Sequence, residues 1–302
     1  IGPGQAAEIM TGAPVPDGAD AVVMVEYTAR RGDAVEAQRA VGAGENVVPT
    51  GSEARKGQLL LLRGTRIGFA EIAVAAGAGK AQLRVYTRPQ VAILSTGDEL
   101  VEVDAQPGPY QIRNSNSYSL AAQVEAAGGD AVRLPIAPDD TVVLKHLVEE
   151  GLEHDLLLLT GGVSMGKYDL VEQVLAEFGA EFFFTGALIQ PGRPVVFGRA
   201  RAGEKTTYFF GLPGNPVSTM VTFELFVRPV LDALCGAPSS KLRFLQARLQ
   251  ADIKTKTGLT RFLPAVLSGE LDCTVVELVR WQGSGDIAAM ARANCYVVIP
   301  PD

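Results

Sequence analysis

Two glycine turns accompanied by carboxylates are the strongest candidates for chemistry in this chain. Thr160-Gly161-Gly162 directly follows an apolar run, and Asp169 comes a few residues later. Ser95-Thr96-Gly97 follows another apolar run and leads into Asp98. Glycines let the backbone approach a ligand closely, and carboxylates bind hard cations such as Mg²⁺. These turns predict a site for a metal and a phosphorylated or acidic ligand, with a helix-capping Asp169 in an ordinary turn as the alternative.

The elements that would position these turns alternate between strands and helices from Arg88 onward. Short apolar runs are typical of parallel strands that are covered on both faces. The predicted strands are 91–94, 131–134, 155–159, 182–184, 195–197 and 208–210, and the predicted helices include 118–127, 141–150 and 217–234. The pattern predicts an α/β fold with a doubly wound, mostly parallel sheet. In such a sheet the turns 95–99, 160–169, 190–194 and 211–216 should meet at one edge.

The segments that flank this α/β unit have a different character. Residues 1–50 are rich in Gly and Pro and predict a strand at 21–25. Residues 51–86 include a helix-like run that carries Glu71, a lone acid that is typical of a solvated helix face. Residues 238–302 show short alternating runs that predict a small antiparallel β domain. The predicted domains are 1–50, 51–86, 87–237 and 238–302.

Composition excludes several classes of protein. The 302 residues are 47% hydrophobic with a net charge of -7, which argues against a nucleic-acid-binding protein. No apolar run reaches the roughly 18 residues of a membrane span, so we predict a cytoplasmic protein without membrane contact. The three cysteines fit no zinc pattern and are predicted to be reduced thiols.

The chain lacks a Ser–His pair for acyl chemistry and the GxxxxGK[ST] form of a P-loop. Because it begins with Ile1, we expect it to be part of a longer protein.

Six motifs carry a resemblance to a known family. They are IMTGAPVPDGADAVV at 9–23, STGDEL at 95–100, TGGVSMG at 160–166, PGRP at 191–194, GLPGNPVS at 211–218 and GSG at 283–285. With these motifs the chain resembles the molybdenum-insertion enzymes of molybdenum cofactor synthesis, which are the bacterial MoeA proteins and the E domain of gephyrin. The resemblance covers the whole chain.

The resemblance implies a fold and an activity. The α/β unit would be a MogA-like, molybdopterin-binding domain with flanking β-rich domains and a C-terminal small β-barrel. Residues 1–50 would be the β-rich second domain of the family, truncated at its N-terminus, and 51–86 the return segment of its extended first domain. The implied enzyme is a molybdopterin molybdotransferase, which inserts molybdate into adenylylated molybdopterin with Mg²⁺ and releases AMP. Such enzymes are homodimers, and contact with the adenylyltransferase of the pathway is a further expected partnership.

The resemblance also implies roles for individual residues. Asp169 and Asp98 would hold the metal, and with Glu71 they would form the catalytic set. The substrate-binding residues would be Thr11, Glu53, Asn114, Gly161, Gly162, Ser164, Arg193, Pro213, Gly214 and Pro216. Three positions depart from the family's pattern: Gln190 replaces a common Lys, Glu53 stands where many members have Asp, and Asn114 stands where some have Asp.

Two other functions remain open at the level of sequence. One is the related molybdopterin adenylyltransferase, whose fold shares the TGG turn and the following Asp, although the β-rich flanks and GLPGNP argue against it. The other is a non-enzymatic scaffold like gephyrin, which anchors receptors through this domain. The intact acids Asp98 and Asp169 favour the enzyme.

Overall fold

The structure is a computed structural model that describes residues 1–161, 170–239, 241–254, 258–270 and 273–301. The chain divides into two compact units, Ile1–Arg63 and Gly64–Asp302. We describe each unit by itself. The four domains predicted from the sequence stay a prediction.

The first unit contains a single β-hairpin, formed by β1 (Thr28–Arg31) and β2 (Ala34–Ala37). The strand predicted at 21–25 is wrong, because residues 21–24 pair with no neighbouring strand and Val25–Tyr27 forms a 3₁₀ turn. A ladder needs a partner strand, and here Val22 makes one backbone hydrogen bond of 3.0 Å to the Glu45 carbonyl. None of residues 1–63, all of which are described, is fully buried.

The second unit begins with a helix and continues as alternating strands and helices. Its elements before the C-terminal part are α1 (Phe69–Gly77), β3 (Gln90–Ser95), β4 (Leu100–Val101), β5 (Ile112–Arg113), α2 (Asn116–Ala126), β6 (Asp130–Arg133), α3 (Thr141–Leu152), β7 (Leu156–Thr160), α4 (Leu170–Glu177), β8 (Glu181–Phe184), β9 (Ile189–Gln190), β10 (Val196–Ala202), β11 (Lys205–Leu212), α5 (Pro216–Thr222) and α6 (Arg228–Leu234). The strands and helices predicted from apolar runs in this unit are confirmed, with ends shifted by a few residues, except that the predicted helix 217–234 is interrupted.

The main sheet has six strands in the order β6-β3-β7-β11-β10-β8. The first four strands are parallel to one another, whereas β10 is antiparallel to both β11 and β8. The antiparallel pair follows from its connection, since Gly203 and Glu204 form a two-residue turn and parallel strands need a long crossover. The predicted α/β class is therefore confirmed, with an antiparallel hairpin at one side of the sheet.

Each face of the sheet supports its own hydrophobic core, as a doubly wound fold requires. Alternate residues of β7 point to opposite sides: Leu157 and Leu159 pack towards α3 and α4, and Leu156 and Leu158 pack towards α2 and α6. All four leucines are fully buried. The continuous apolar run is thus explained by a central strand that is covered on both faces.

The helix predicted at 217–234 is interrupted in its middle. Between α5 and α6, residues Phe223–Val227 form a π-helical turn, in which the Arg228 N–H donates to the Phe223 carbonyl five residues earlier. Pro229 explains the irregularity, because proline has no N–H to donate and its ring crowds the preceding turn. None of the helices in the described ranges is long and apolar enough to cross a membrane.

A small β sheet forms the C-terminal part, as the alternating runs predicted. Its elements are β12 (Arg248–Leu249), β13 (Thr260–Glu270), β14 (Cys273–Leu278), α7 (Ile287–Arg292) and β15 (Cys295–Ile299). β14 and β15 are antiparallel to β13, and β9 joins this sheet by pairing with the start of β13. An apolar cluster that includes Ile189, Val217, Val221 and Phe262 joins the sheet to α5.

Candidate active site

Three strand-end turns lie in contact at one edge of the main sheet. β3, β7 and β11 are parallel neighbours, so their carboxyl ends share that edge. The Thr96 N–H donates to the Thr160 carbonyl at 3.0 Å. A β-carbon at Gly161 would lie 2.4 Å from the Thr96 carbonyl oxygen, and one at Gly214 would lie 3.6 Å from the Gly161 Cα. The backbones approach so closely that only glycine fits at position 161.

Asp98 projects from the turn after β3 and is exposed. Its Oδ1 accepts a hydrogen bond of 3.0 Å from the Asp139 N–H, in the segment after β6. A carboxylate can accept about four hydrogen bonds or ligand contacts, so this one bond leaves capacity for a cation. The geometry is compatible with the metal-binding role predicted for Asp98.

Asn114 lies beneath the same turn and is only 3% exposed. Its Oδ1 accepts hydrogen bonds from Ser95 Oγ at 3.1 Å and from the Ser117 N–H at 3.2 Å. The side chain therefore links the end of β3 to the start of α2. Substrate binding by Asn114 stays a prediction, and bracing of the turn is what its contacts show.

The segment 190–194 reaches the same edge from the antiparallel part of the sheet. Val196, at the start of β10, pairs with Gly211 near the end of β11. Gly192 is buried with a φ of +106°, and a β-carbon there would lie 2.5 Å from Thr222. Arg193 is exposed, as a residue that binds an anion should be.

The loop 213–216 is held by hydrogen bonds to its carbonyl groups. The Pro213 carbonyl accepts from Thr160 Oγ1 at 3.4 Å and from Thr219 Oγ1. The Gly214 carbonyl accepts from the amide nitrogen of Asn116 at 2.7 Å. Pro216 occupies the first turn of α5, where its fixed φ suits a helix start. The predicted substrate-binding residues Pro213, Gly214 and Pro216 thus belong to a preformed loop.

The C-terminal GSG motif contacts this loop through the backbone. The Ser284 carbonyl accepts a hydrogen bond of 2.9 Å from the Val217 N–H at the start of α5. In the same segment, Asp286 accepts from the N–H groups of Ala289 and Gln282, and these bonds hold the pKa of its carboxyl below the ordinary value. The motif is therefore built into the edge that carries the three turns.

Glu71 caps its own helix. The Gly68 N–H donates to Glu71 Oε2 at 2.9 Å, which forms a capping box at the start of α1. Glu71 is half-buried rather than a fully solvated face residue. Within the described part of the chain, no hydrogen bond joins it to the three turns, and its catalytic role stays a prediction.

Thr11 and Glu53 belong to the first unit. Thr11 is exposed in a turn that is closed by a hydrogen bond of 3.0 Å from the Ala13 N–H to the Met10 carbonyl. Glu53 is also exposed. Both side chains are accessible to a ligand, and their roles stay predictions.

The predicted residues Gly162, Ser164 and Asp169 lie outside the described residues. Within the described ranges, no group of three or more His, Cys, Asp or Glu side chains is arranged to hold a metal. Asp98 and Glu99 are exposed carboxylates of the turn after β3, and carboxylate oxygens suit a hard cation. The buried hydroxyl of Thr96 in the same turn has no partner in the described ranges.

The sequence analysis missed Asn116, Thr160 and Thr219 as residues that hold the loop. One helix start needs a single capping side chain, but residues 114–117 are all polar. The surplus polar side chains were the sequence signal for additional hydrogen-bonding roles here. The partners lie 44 and 98 residues away from Asn116, so sequence alone could not identify them.

Comparison with known proteins covers the chain from end to end. Three family models match: "MoeA N-terminal region (domain I and II)" at residues 1–79, "Probable molybdopterin binding domain" at 92–233 and "MoeA C-terminal region (domain IV)" at 246–302. Relatives named molybdopterin molybdenumtransferase include those of Nostoc sp., 36% identical over 307 residues, and Bacillus subtilis, 34% identical over 308 residues. Each match covers 99% of this chain, with 69% of the Nostoc protein and 70% of the Bacillus protein.

Solved structures give the same result. The molybdopterin biosynthesis MoeA protein of Pyrococcus horikoshii OT3 superposes with a TM-score of 0.77 and 30% identity, covering 97% of this chain and 70% of that one. A molybdenum cofactor biosynthesis protein of Pyrococcus furiosus has a TM-score of 0.62 and 25% identity, covering 83% of this chain and 76% of that one. The fold and the matched segments define a transferase class built around a molybdopterin-binding domain. The chain belongs to the molybdopterin molybdenumtransferase family.

Proposed function

We propose that this protein inserts molybdenum from molybdate into adenylylated molybdopterin, in a Mg²⁺-dependent reaction that releases AMP. The observation that carries the proposal is the meeting of three family motifs, at 95–100, 160–161 and 211–218, on one edge of the sheet. Exposed strand-end turns on a rigid sheet are where open α/β folds bind their ligands. Membership in the molybdopterin molybdenumtransferase family supplies the class of substrate.

The roles of the acids follow from their chemistry. Asp98 and Asp169 would hold Mg²⁺, which when bound would offset the negative charge of the phosphate oxygens. Asp98 is exposed and has acceptor capacity beyond its bond from the Asp139 N–H, so it fits this role. Glu71 completes the proposed catalytic set.

The remaining proposed residues would bind the substrates. Arg193 is an exposed cation that would bind molybdate or the terminal phosphate, and Gln190, three residues before it, supplies no second charge. Pro213, Gly214 and Pro216 form a loop whose shape is set before the ligand arrives. The other proposed substrate-binding residues are Thr11, Glu53, Asn114, Gly161, Gly162 and Ser164.

Partners and location also belong to the proposal. A homodimer would bring residues of two subunits to one site, and light scattering of the purified protein would measure its mass directly. Contact with the adenylyltransferase of the pathway would pass the adenylylated pterin between the two enzymes. A cytoplasmic location fits both partnerships.

The decisive experiment measures AMP release from adenylylated molybdopterin with Mg²⁺, in the presence and absence of molybdate. We expect molybdate-dependent release by the wild-type protein, with strong loss in Asp98→Asn and Asp169→Ala. Asp104→Asn is the matched control, because Asp104 is an exposed acid in the loop after β4. No release by folded wild-type protein would reject the transferase in favour of a scaffold, and synthesis of the adenylylated pterin from ATP would indicate an adenylyltransferase.

A further inference from the structure

The side chain of Asn116 joins two of the turns at the candidate site. Its Nδ2 donates to Thr160 Oγ1 at 3.0 Å and to the Gly214 carbonyl at 2.7 Å. A carbonyl oxygen can only accept a hydrogen bond, so the amide nitrogen must be the atom that faces Gly214. The first residue of α2 is thereby fixed to the end of β7 and to the loop after β11.

Two successive carbonyl groups of the loop are held by side chains from outside it. Asn116 holds the Gly214 carbonyl, and the hydroxyls of Thr160 and Thr219 hold the Pro213 carbonyl. Thr160 is 1% exposed and Thr219 is fully buried, so these donors cannot move far. We call Asn116, Thr160 and Thr219 the carbonyl clamp.

The carbonyl clamp sets the direction of the loop's N–H groups. In a planar trans peptide the N–H points opposite to the C=O. Holding the carbonyls of Pro213 and Gly214 therefore directs the N–H groups of Gly214 and Asn215 away from the clamp. The described residues show no acceptor for these two N–H groups, which leaves them available to the oxygen atoms of a substrate.

The amide of Asn116 resembles that of Gln123 on the same helix. Each amide nitrogen donates two hydrogen bonds, and each amide oxygen is buried without a partner among the described residues. The difference lies in what the nitrogen holds. Gln123 bonds to Met220 and Glu224, whereas Asn116 bonds to the loop 213–216 at the candidate site.

We propose that Asn116 is a positioning residue for the transfer reaction. It holds the loop 213–216 in register with the end of β7 at Thr160, so that the donors and the prolines of the loop meet the substrate correctly. The inference rests on the proposed function, since it assigns Asn116 a task in that reaction. Asn116 acts through Gly214 and Thr160 and does not itself touch the reacting atoms.

The test compares Asn116→Ala and Asn116→Asp with Gln123→Ala. Asp has the size of Asn, but it puts an acceptor oxygen opposite the Gly214 carbonyl. Gln123 is the matched control, because it lies on the same helix and its amide donates to the Met220 carbonyl at 3.3 Å and to Glu224 at 2.9 Å. For each variant we would measure kcat and KM for AMP release, together with the melting temperature.

We expect both Asn116 variants to lower kcat about tenfold to a hundredfold, because small misplacements of substrate-positioning groups have effects of this size. Gln123→Ala should keep wild-type kcat with a similar or larger loss in melting temperature. Equal kcat losses in Gln123→Ala and Asn116→Ala, or normal kcat in Asn116→Asp, would overturn the proposal. An inactive wild-type protein would instead overturn the proposed function, and the inference with it.

A double variant provides the second measurement, and it remains informative where one Asn116 variant fails to fold. Thr160→Val removes the hydroxyl that accepts from Asn116 while preserving the shape of the side chain. If the two residues act as one clamp, Thr160→Val should lower kcat, and adding Asn116→Asp should lower it little further. Unchanged kcat in Thr160→Val, or strictly additive losses, would contradict a shared clamp.

Discussion

Among single residues, Gly161 is the glycine of the candidate site at which a side chain would meet backbone atoms. Its φ is +85°, and a β-carbon would lie 2.4 Å from the Thr96 carbonyl oxygen. We expect Gly161→Ala to lower the free energy of unfolding by about 1–2 kcal/mol from the left-handed conformation alone. The contact with backbone atoms should add to this loss, because those atoms cannot rotate away. Urea denaturation measures both contributions together.

Gly203→Ala is the control for Gly161→Ala. Gly203 also has a positive φ, of +59°, but a β-carbon there would meet no atom within 4 Å. Gly203→Ala should therefore lose only the free energy of unfolding that the left-handed conformation costs. If the two variants lose equal stability, the argument from close backbone approach is wrong.

The three cysteines should differ in reactivity towards alkylating reagents. Burial raises the pKa of the Cys235 thiol and of the Cys295 thiol, whereas Cys273 is exposed. Because the thiolate is the reactive form, a raised pKa slows alkylation at pH 8. We expect mass spectrometry of the folded protein to find Cys273 modified first. Faster labelling of Cys235 or Cys295 would show that the half-buried sites open in solution.

Among the described helices, α3 has the clearest N-cap residue, which is Asp140. Asp140 Oδ1 accepts from the N–H groups of Val142 and Val143, both at 2.9 Å. We expect Asp140→Ala to lower the free energy of unfolding by about 1 kcal/mol, as loss of an N-cap usually does. Asp139→Ala should have a much smaller effect on urea denaturation, since in the described part of the chain only the backbone N–H of Asp139 makes a hydrogen bond, to Asp98. A larger effect at Asp139 would contradict the assignment of the cap.

The cap of α7 should make stability depend on pH. Hydrogen bonds from the N–H groups of Ala289 and Gln282 hold the pKa of Asp286 below its ordinary value of 3.8. The folded state therefore favours the ionised carboxylate, and this stabilisation is complete above the unfolded pKa and lost as pH falls through the folded pKa. Thermal unfolding of wild type and Asp286→Ala should differ most above pH 3.8 and converge in stronger acid. If the difference in stability between wild type and Asp286→Ala instead grew as the pH fell, it would contradict a lowered pKa of Asp286 in the folded state.

The elements that sequence predicted well are those whose residues satisfy local rules. β7 is a run of leucines because both of its faces are buried, and α3 follows a capping aspartate. The strand predicted at 21–25 failed because a strand depends on a partner that local sequence does not specify. The π-helical turn at Phe223–Val227 was also missed, although Pro229 was visible in the sequence two residues after the turn ends.

At the scale of the whole molecule, the two units differ in their content of buried residues. None of residues 1–63 is fully buried, whereas the second unit contains all three hydrophobic clusters. Amide hydrogen exchange reports such differences, because exposed backbone opens at little free-energy cost. We expect fast exchange across residues 1–63 and slow exchange in β3 and β7. Strong protection of residues 1–63 would show that another surface covers this unit in solution.

The candidate site was predictable only in outline. Parallel strands bring their carboxyl ends together, so the turns after β3, β7 and β11 could be placed from sequence. The amide of Asn116 and the Ser284 carbonyl could not, because their partners depend on the registers of packed elements. Sequence therefore predicted which turns meet at this edge, whereas the hydrogen bonds that hold the loops required coordinates.

The C-terminal sheet is fastened to the α/β unit at two separate places. The start of β13 pairs with β9, a few residues before Arg193, and the Ser284 carbonyl accepts from the Val217 N–H beside the loop 213–216. A body attached at one point can rotate freely about it, whereas two separate attachments and the apolar cluster around Phe262 restrict that rotation. We therefore expect any twisting of the C-terminal sheet to displace the segment before Arg193 and the proline loop together, so that the spacing of these two parts of the candidate site changes little.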